Sequence, residues 1–215
     1  MEHLPALLCV VLTGVLMWGE VAEKATIRAV AKTGAAFSFI AYALLLGAWQ
    51  AGSAPRWIVA GLCLSMVGDL ALLSRDKKLF LGGLVAFLLA HVAYVGAFVD
   101  LGLSPTAVGI ALLPLAGFAV GVHRWLAPHT GELARPVVAY IAVITSMVAC
   151  SIGALAASPS PERWGLFVAA VLFFLSDLCV ARDRFVAPGW NNRMVGLPLY
   201  FGAQLVFAYF GAAVA

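Results

Sequence analysis

Asp69 sits in GLCLSMVGDLALL and Asp177 in FVAAVLFFLSDLCV, two apolar stretches of the kind that cross a bilayer. An aspartate at the centre of a membrane helix costs at least about 2.5 kcal/mol, so such a residue usually faces a cavity and has a task there. Two carboxyl groups can do general acid and base work when one keeps a proton and the other does not. They can also carry protons through a membrane. The surroundings repeat: Gly68-Asp69-Leu70 followed by Arg75-Asp76 resembles Ser176-Asp177-Leu178 followed by Arg182-Asp183.

The elements that must position these residues are membrane helices. Of the 215 residues 64% are apolar and 11% charged, against roughly 25% charged in a soluble domain. A bilayer core about 30 Å thick needs ~20 mostly apolar residues per crossing. Spans are expected at Leu4–Gly19, Gly34–Gln50, Trp57–Ser74, Leu79–Val99, Thr106–Val122, Pro136–Ala157, Trp164–Val180 and Val195–Val214. The fold class is therefore all-α, a bundle of eight transmembrane helices filling one domain over residues 1–215. Pro114 makes the fifth span the least regular. The first reads as a retained helix, because Met1, Glu2 and His3 supply no basic region of a secretory signal.

Eleven of the 13 Lys and Arg fall in loops on one side, with Arg56 and Arg163 opposite. The positive-inside rule then sets both termini outside the cytoplasm and the aspartates in the cytoplasmic half of the membrane. The net charge of +3 follows from topology and gives no reason to expect nucleic acid. The repeat suggests two parallel four-helix halves, an arrangement that often places a site between them. Asp69 and Asp177 would then face each other across a central cavity, with no Lys or Arg inside the spans to neutralise them.

Gly61, Ser65, Asp69 and Leu72 share one face of the third span, and small residues there allow close helix approach. His91 and Tyr94 share a face of the fourth, Tyr200 and Gln204 of the eighth. Interhelical hydrogen bonding accounts for Tyr94, Tyr200 and Gln204 as well as a functional role does. Cys9, Cys63, Cys150 and Cys179 are isolated in apolar spans and read as packing residues. His123 and His129 lack companions at ligand spacing, so no metal and no cofactor is expected. Arg75, Lys77, Lys78, Arg182 and Arg184 lie where an anionic head group would sit.

GLCLSMVGDLALL, FLGGLVAFLLAHVAYVGAF, VLFFLSDLCVARDRF and LYFGAQLVFAYF together resemble the YhhN-like lysoplasmalogenase family of eight-helix membrane proteins. The likeness runs from the second span onward. Its strongest parts are Gly68-Asp69, Phe87 with His91 and Tyr94, Phe174 with Ser176-Asp177, and Tyr200 with Gln204. The family commonly has Lys-Pro ahead of its second helix and this chain has Lys32-Thr33, so Lys32 is carried over on the lysine alone.

The resemblance implies hydrolysis of the vinyl ether bond of a 1-alkenyl lysophospholipid to a fatty aldehyde and a glycerophospho-alcohol, in the bacterial inner membrane. Asp69 and Asp177 would be catalytic. His91, Tyr94, Ser176, Tyr200, Gln204, Lys32, Arg75 and Arg182 would bind substrate or support the pair. A vinyl ether opens in acid: a proton adds to the outer carbon and water captures the oxocarbenium ion. Two carboxyls suit such a transition state, as in glycosidases, and activity should survive chelators. The alternative from another class is a proton-coupled carrier using the same aspartates.

Overall fold

The computed structural model describes residues 2–74 and 76–214. Among them the chain is helical throughout, without a strand: α1 (Leu4–Val21), α2 (Ala25–Leu45), α3 (Ser53–Ala71), α4 (Lys77–Asp100), α5 (Pro105–Thr130), α6 (Ala134–Ala157), α7 (Pro161–Ala181) and α8 (Trp190–Ala213). Helix starts follow local chemistry. Asp76 caps α4 by accepting from the backbone N–H groups of Lys78 and Leu79 at 2.8 and 3.1 Å. Ser104 and Ser160 cap α5 and α7, each followed by a proline at the first helical position, where its missing N–H costs nothing.

Seven continuous helical stretches are long and apolar enough to cross a membrane; one, Pro105–Ala157, contains α5, a short 3-10 turn and α6. The two helices pack on each other, so the chain reverses between them, at Gly131, whose φ of +50° is left-handed and suited to glycine. α5 runs on through Pro114 and Pro128, eight residues beyond the span expected from hydropathy.

Polarity is inside out relative to a soluble protein. Leu113, Ile110, Leu7 and Val11 are exposed while Ser65, Asp69, His91, Ser176 and Gln204 are buried. Lipid-facing apolar surface explains both observations, and the chain is an integral membrane protein. α8 is the hub, packing on α1, α2, α3 and α7, while α4 packs on α3 and α6.

Close approach of α3 and α4 depends on Gly61 and Gly68. A Cβ on Gly68 would lie 2.6 Å from the Phe87 ring, and one on Gly61 would overlap Tyr94. Tyr94 has no room to retreat, since it stacks on Phe207 with centroids 4.1 Å apart. Gly61→Ala is therefore expected to destabilise the fold by about 1–3 kcal/mol through overpacking, read as a lowered unfolding midpoint in detergent.

α2 departs most from expectation. It begins at Ala25, nine residues before the expected start at Gly34, and takes Arg28 and Lys32 into the helix. A hydropathy reading stops at such charges. Here tertiary partners neutralise them: Arg28 meets Glu20 at 3.3 Å and Lys32 meets Asp69 at 3.1 Å.

Candidate active site

Asp69 and Asp177 line one cavity of about 190 Å3. Its polar floor is made by Lys32, Asp69, Tyr140, Ser176, Asp177 and Tyr200. Apolar side chains of α4, α5 and α6 form the walls, among them Leu84, Phe87, Phe118, Leu126, Ile141 and Ile144. Phe80, Asp183, Arg184, Asn192 and Arg193 are also part of its border. The last turn of α7 widens there into a π-helical turn, Arg182–Val186, a distortion that recurs at functional sites.

Asp69 is buried at the end of α3 and held by two donors. The Tyr200 hydroxyl donates to Oδ2 at 2.6 Å and Lys32 Nζ lies 3.1 Å from Oδ1. The expectation that no cation shares the spans is thus corrected, because the early start of α2 puts Lys32 one helix away from its partner. Asp177 is half-buried. The Tyr140 hydroxyl donates to its Oδ2 at 2.6 Å, and His91 Nε2 lies 3.5 Å from the same oxygen.

His91 is fixed by its other nitrogen, Nδ1, 2.6 Å from the Phe87 carbonyl, and by Phe173, whose ring centroid is 4.5 Å away. Tyr94 and Gln204 are buried one layer behind the cavity, where the Tyr94 hydroxyl donates to Gln204 Oε1 at 2.7 Å and ties α4 to α8. The Ser176 hydroxyl bonds back to the Phe173 carbonyl at 3.0 Å. Arg182 is turned to Asn192 Oδ1 at 2.6 Å and is absent from the lining. Arg75 lies outside the described residues.

Tyr140 was missed by the sequence reading. It sits in a run of apolar residues, and its signal in the sequence is a position 37 residues before Asp177, the spacing of Lys32 from Asp69. Arg193 was read only as a topology marker. It bridges Glu20 of α1 at 2.9 Å and Asp183 at 3.2 Å. Arg184 lies over the Phe80 ring, 4.0 Å from its centroid, and has no carboxylate partner among the described residues. No cluster of three or more metal-ligating side chains occurs among the described residues.

Fold and site together define a polytopic helical membrane protein with two carboxyl groups in one lipid-facing bundle. The chain belongs to the YhhN family, whose model matches residues 27–210. It is similar to lysoplasmalogenase TMEM86A of Bos taurus, 32% identical over 162 residues, which is 73% of this chain and 65% of the relative. Lysoplasmalogenase TMEM86B of Mus musculus is 31% identical over 193 residues, 89% of this chain and 78% of that protein. A lysoplasmalogenase of Mycobacterium bovis is 31% identical over 156 residues, 70% and 57% of the two chains. The chain thus spans 65% of the bovine relative's length and less of the mycobacterial one. No solved structure matches it.

Proposed function

We propose that this protein is a lysoplasmalogenase-like hydrolase that opens the vinyl ether bond of 1-alkenyl lysoglycerophospholipids by carboxyl acid and base catalysis. The observation that carries this reading is the pair Asp69 and Asp177 on the floor of one apolar-walled cavity. A proton delivered to the outer vinyl carbon creates an oxocarbenium ion, and a carboxylate in a low-dielectric site stabilises that cation strongly. The apolar walls suit an alkenyl chain. Relatives named lysoplasmalogenase give the substrate class its independent support.

The reading includes eight crossings in two parallel four-helix halves, with both termini outside the cytoplasm of a bacterial inner membrane. Packing supports the two halves: α2 with α8 mirrors α6 with α4, and α3 with α4 mirrors α7 with α8. Neither aspartate-bearing helix is broken, since α3 and α7 each run uninterrupted past their aspartate. That supports turnover over carriage, because carriers commonly use discontinuous helices at the binding site.

The phosphate is assigned to Arg184, poised on Phe80 beside the cavity. A charge-assisted contact contributes about 1.5–3 kcal/mol, so Arg184→Ala should raise KM about 10- to 100-fold with kcat little changed. Hydrolysis of a 1-alkenyl glycerol that lacks the phosphate should be unaffected.

The test of the function is aldehyde release from a 1-alkenyl lysophospholipid by the purified protein in detergent. Aldehyde at a rate proportional to protein is expected. None from folded protein would overturn the assignment.

A further inference from the structure

The two aspartates stand in matched settings that differ in the sense of their hydrogen bonds. Lys32 precedes Asp69 by the same 37 positions that separate Tyr140 from Asp177, and Val30-Ala31 before Lys32 is repeated as Val138-Ala139 before Tyr140. Each aspartate takes one partner from that position and one from the far end of the other half of the chain. For Asp69 the second partner is Tyr200 of α8; for Asp177 it is His91 of α4.

At Asp69 both partners are donors. An ammonium group has only N–H to offer, and the Tyr200 hydroxyl donates. An ionised carboxylate accepts from both without conflict. At Asp177 the tyrosine again donates, but a neutral histidine does not. A carbonyl oxygen can only accept, so His91 Nδ1, 2.6 Å from the Phe87 carbonyl, bears the hydrogen. In the neutral ring Nε2 is then a bare lone pair. It is buried, has no hydrogen-bond partner, and faces Asp177 Oδ2 at 3.5 Å. A lone pair opposed to a carboxylate oxygen is repulsive. A proton on Asp177 turns the contact into a donor facing an acceptor, at a distance that a small rotation of the carboxyl group closes.

We propose that Asp177 carries the transferable proton at neutral pH, oriented by His91, and that Asp69 is the standing carboxylate, held in that form by Lys32 and Tyr200. The assignment rests on the hydrolase reading for its chemistry. The Asp177 O–H bond breaks as the vinyl π electrons form a C–H bond at the outer carbon, leaving the cation on the carbon that bears the ether oxygen. Asp69 stabilises that cation. Water oxygen adds to the cationic carbon and its proton returns to Asp177. The hemiacetal hydroxyl proton then passes to the ether oxygen as the C–O bond breaks, giving aldehyde and alcohol with one water consumed. Asp177 and Asp69 are the catalytic residues here, and His91 is a positioning residue.

The proton can be seen without substrate, by infrared spectroscopy of the purified protein at neutral pH. A carbonyl stretch of a protonated carboxyl group, shifted in heavy water, is expected in the wild type and in Asp69→Asn and is expected to be missing from Asp177→Asn. His91→Leu should keep the band and move it to higher frequency, a response that a purely structural histidine would not give. No such band in folded wild type, a band that survives in Asp177→Asn, or a band lost in Asp69→Asn would each overturn the assignment. Because no turnover is involved, a failed spectrum and a failed aldehyde assay are separate results.

Discussion

Asp177→Asn is expected to lower aldehyde release by about 100- to 10,000-fold, the range for a positioned proton donor, while the protein stays folded. Asparagine keeps the shape of aspartic acid and can still accept from the Tyr140 hydroxyl, which now donates at 2.6 Å. What it lacks is a proton acidic enough to add to carbon. Asp69→Asn should cost about 100- to 1,000-fold, comparable to removing one fixed group that stabilises transition-state charge. The two losses differ in kind. With Asp177 replaced, the first protonation fails and no substrate-derived intermediate forms; with Asp69 replaced, the acid remains but the cation is unsupported. Initial rates of aldehyde formation with both variants, beside matched unfolding curves, check the pair. Activity within tenfold of wild type in either folded variant would remove that residue from the mechanism.

Lys32→Met should destabilise the protein by about 3 kcal/mol, the lower end of the range for breaking a buried ion pair from one side. The lower end is chosen because the Lys32 side chain is 17% exposed, whereas Asp69 is 2% exposed and left uncompensated. The Tyr200 hydroxyl alone cannot replace the ammonium group. The double variant Lys32→Met with Asp69→Asn should recover most of that stability, since removing both charges leaves no buried ion behind. It should stay inactive. Chemical or thermal unfolding of the two single variants and the double variant in one detergent makes a cycle whose coupling is the measure of the pair. Additive effects would show that Lys32 does not hold Asp69.

Much of this was written in composition. Long runs such as FLGGLVAFLLAHVAYVGAF lack the alternation of a barrel strand and satisfy their backbone in lipid as helices, so the all-helical membrane class follows from sequence. Asp69 and Asp177 stood out because a carboxyl group in such a run needs a reason. The spacing of Gly61, Ser65 and Asp69 fixed the buried face of α3, since residues three and four apart share a side of any α-helix.

What the chain alone did not contain was the identity of each aspartate's neighbours. Hydropathy starts the second span only at Gly34 because Arg28 and Lys32 look too polar for a membrane, yet their charges are met by Glu20 and Asp69. Tyr140 looked like one more aromatic residue among valines and isoleucines. Tyr200 is 131 positions from the carboxyl group it holds. Such pairings depend on which helices pack side by side and how each is rotated, and that is settled by the summed fit of many side chains, not by local pattern. The sequence by itself determined that this protein spans the membrane as helices and keeps two acids within it. Only the tertiary structure decided that one of them faces a lysine and the other a histidine.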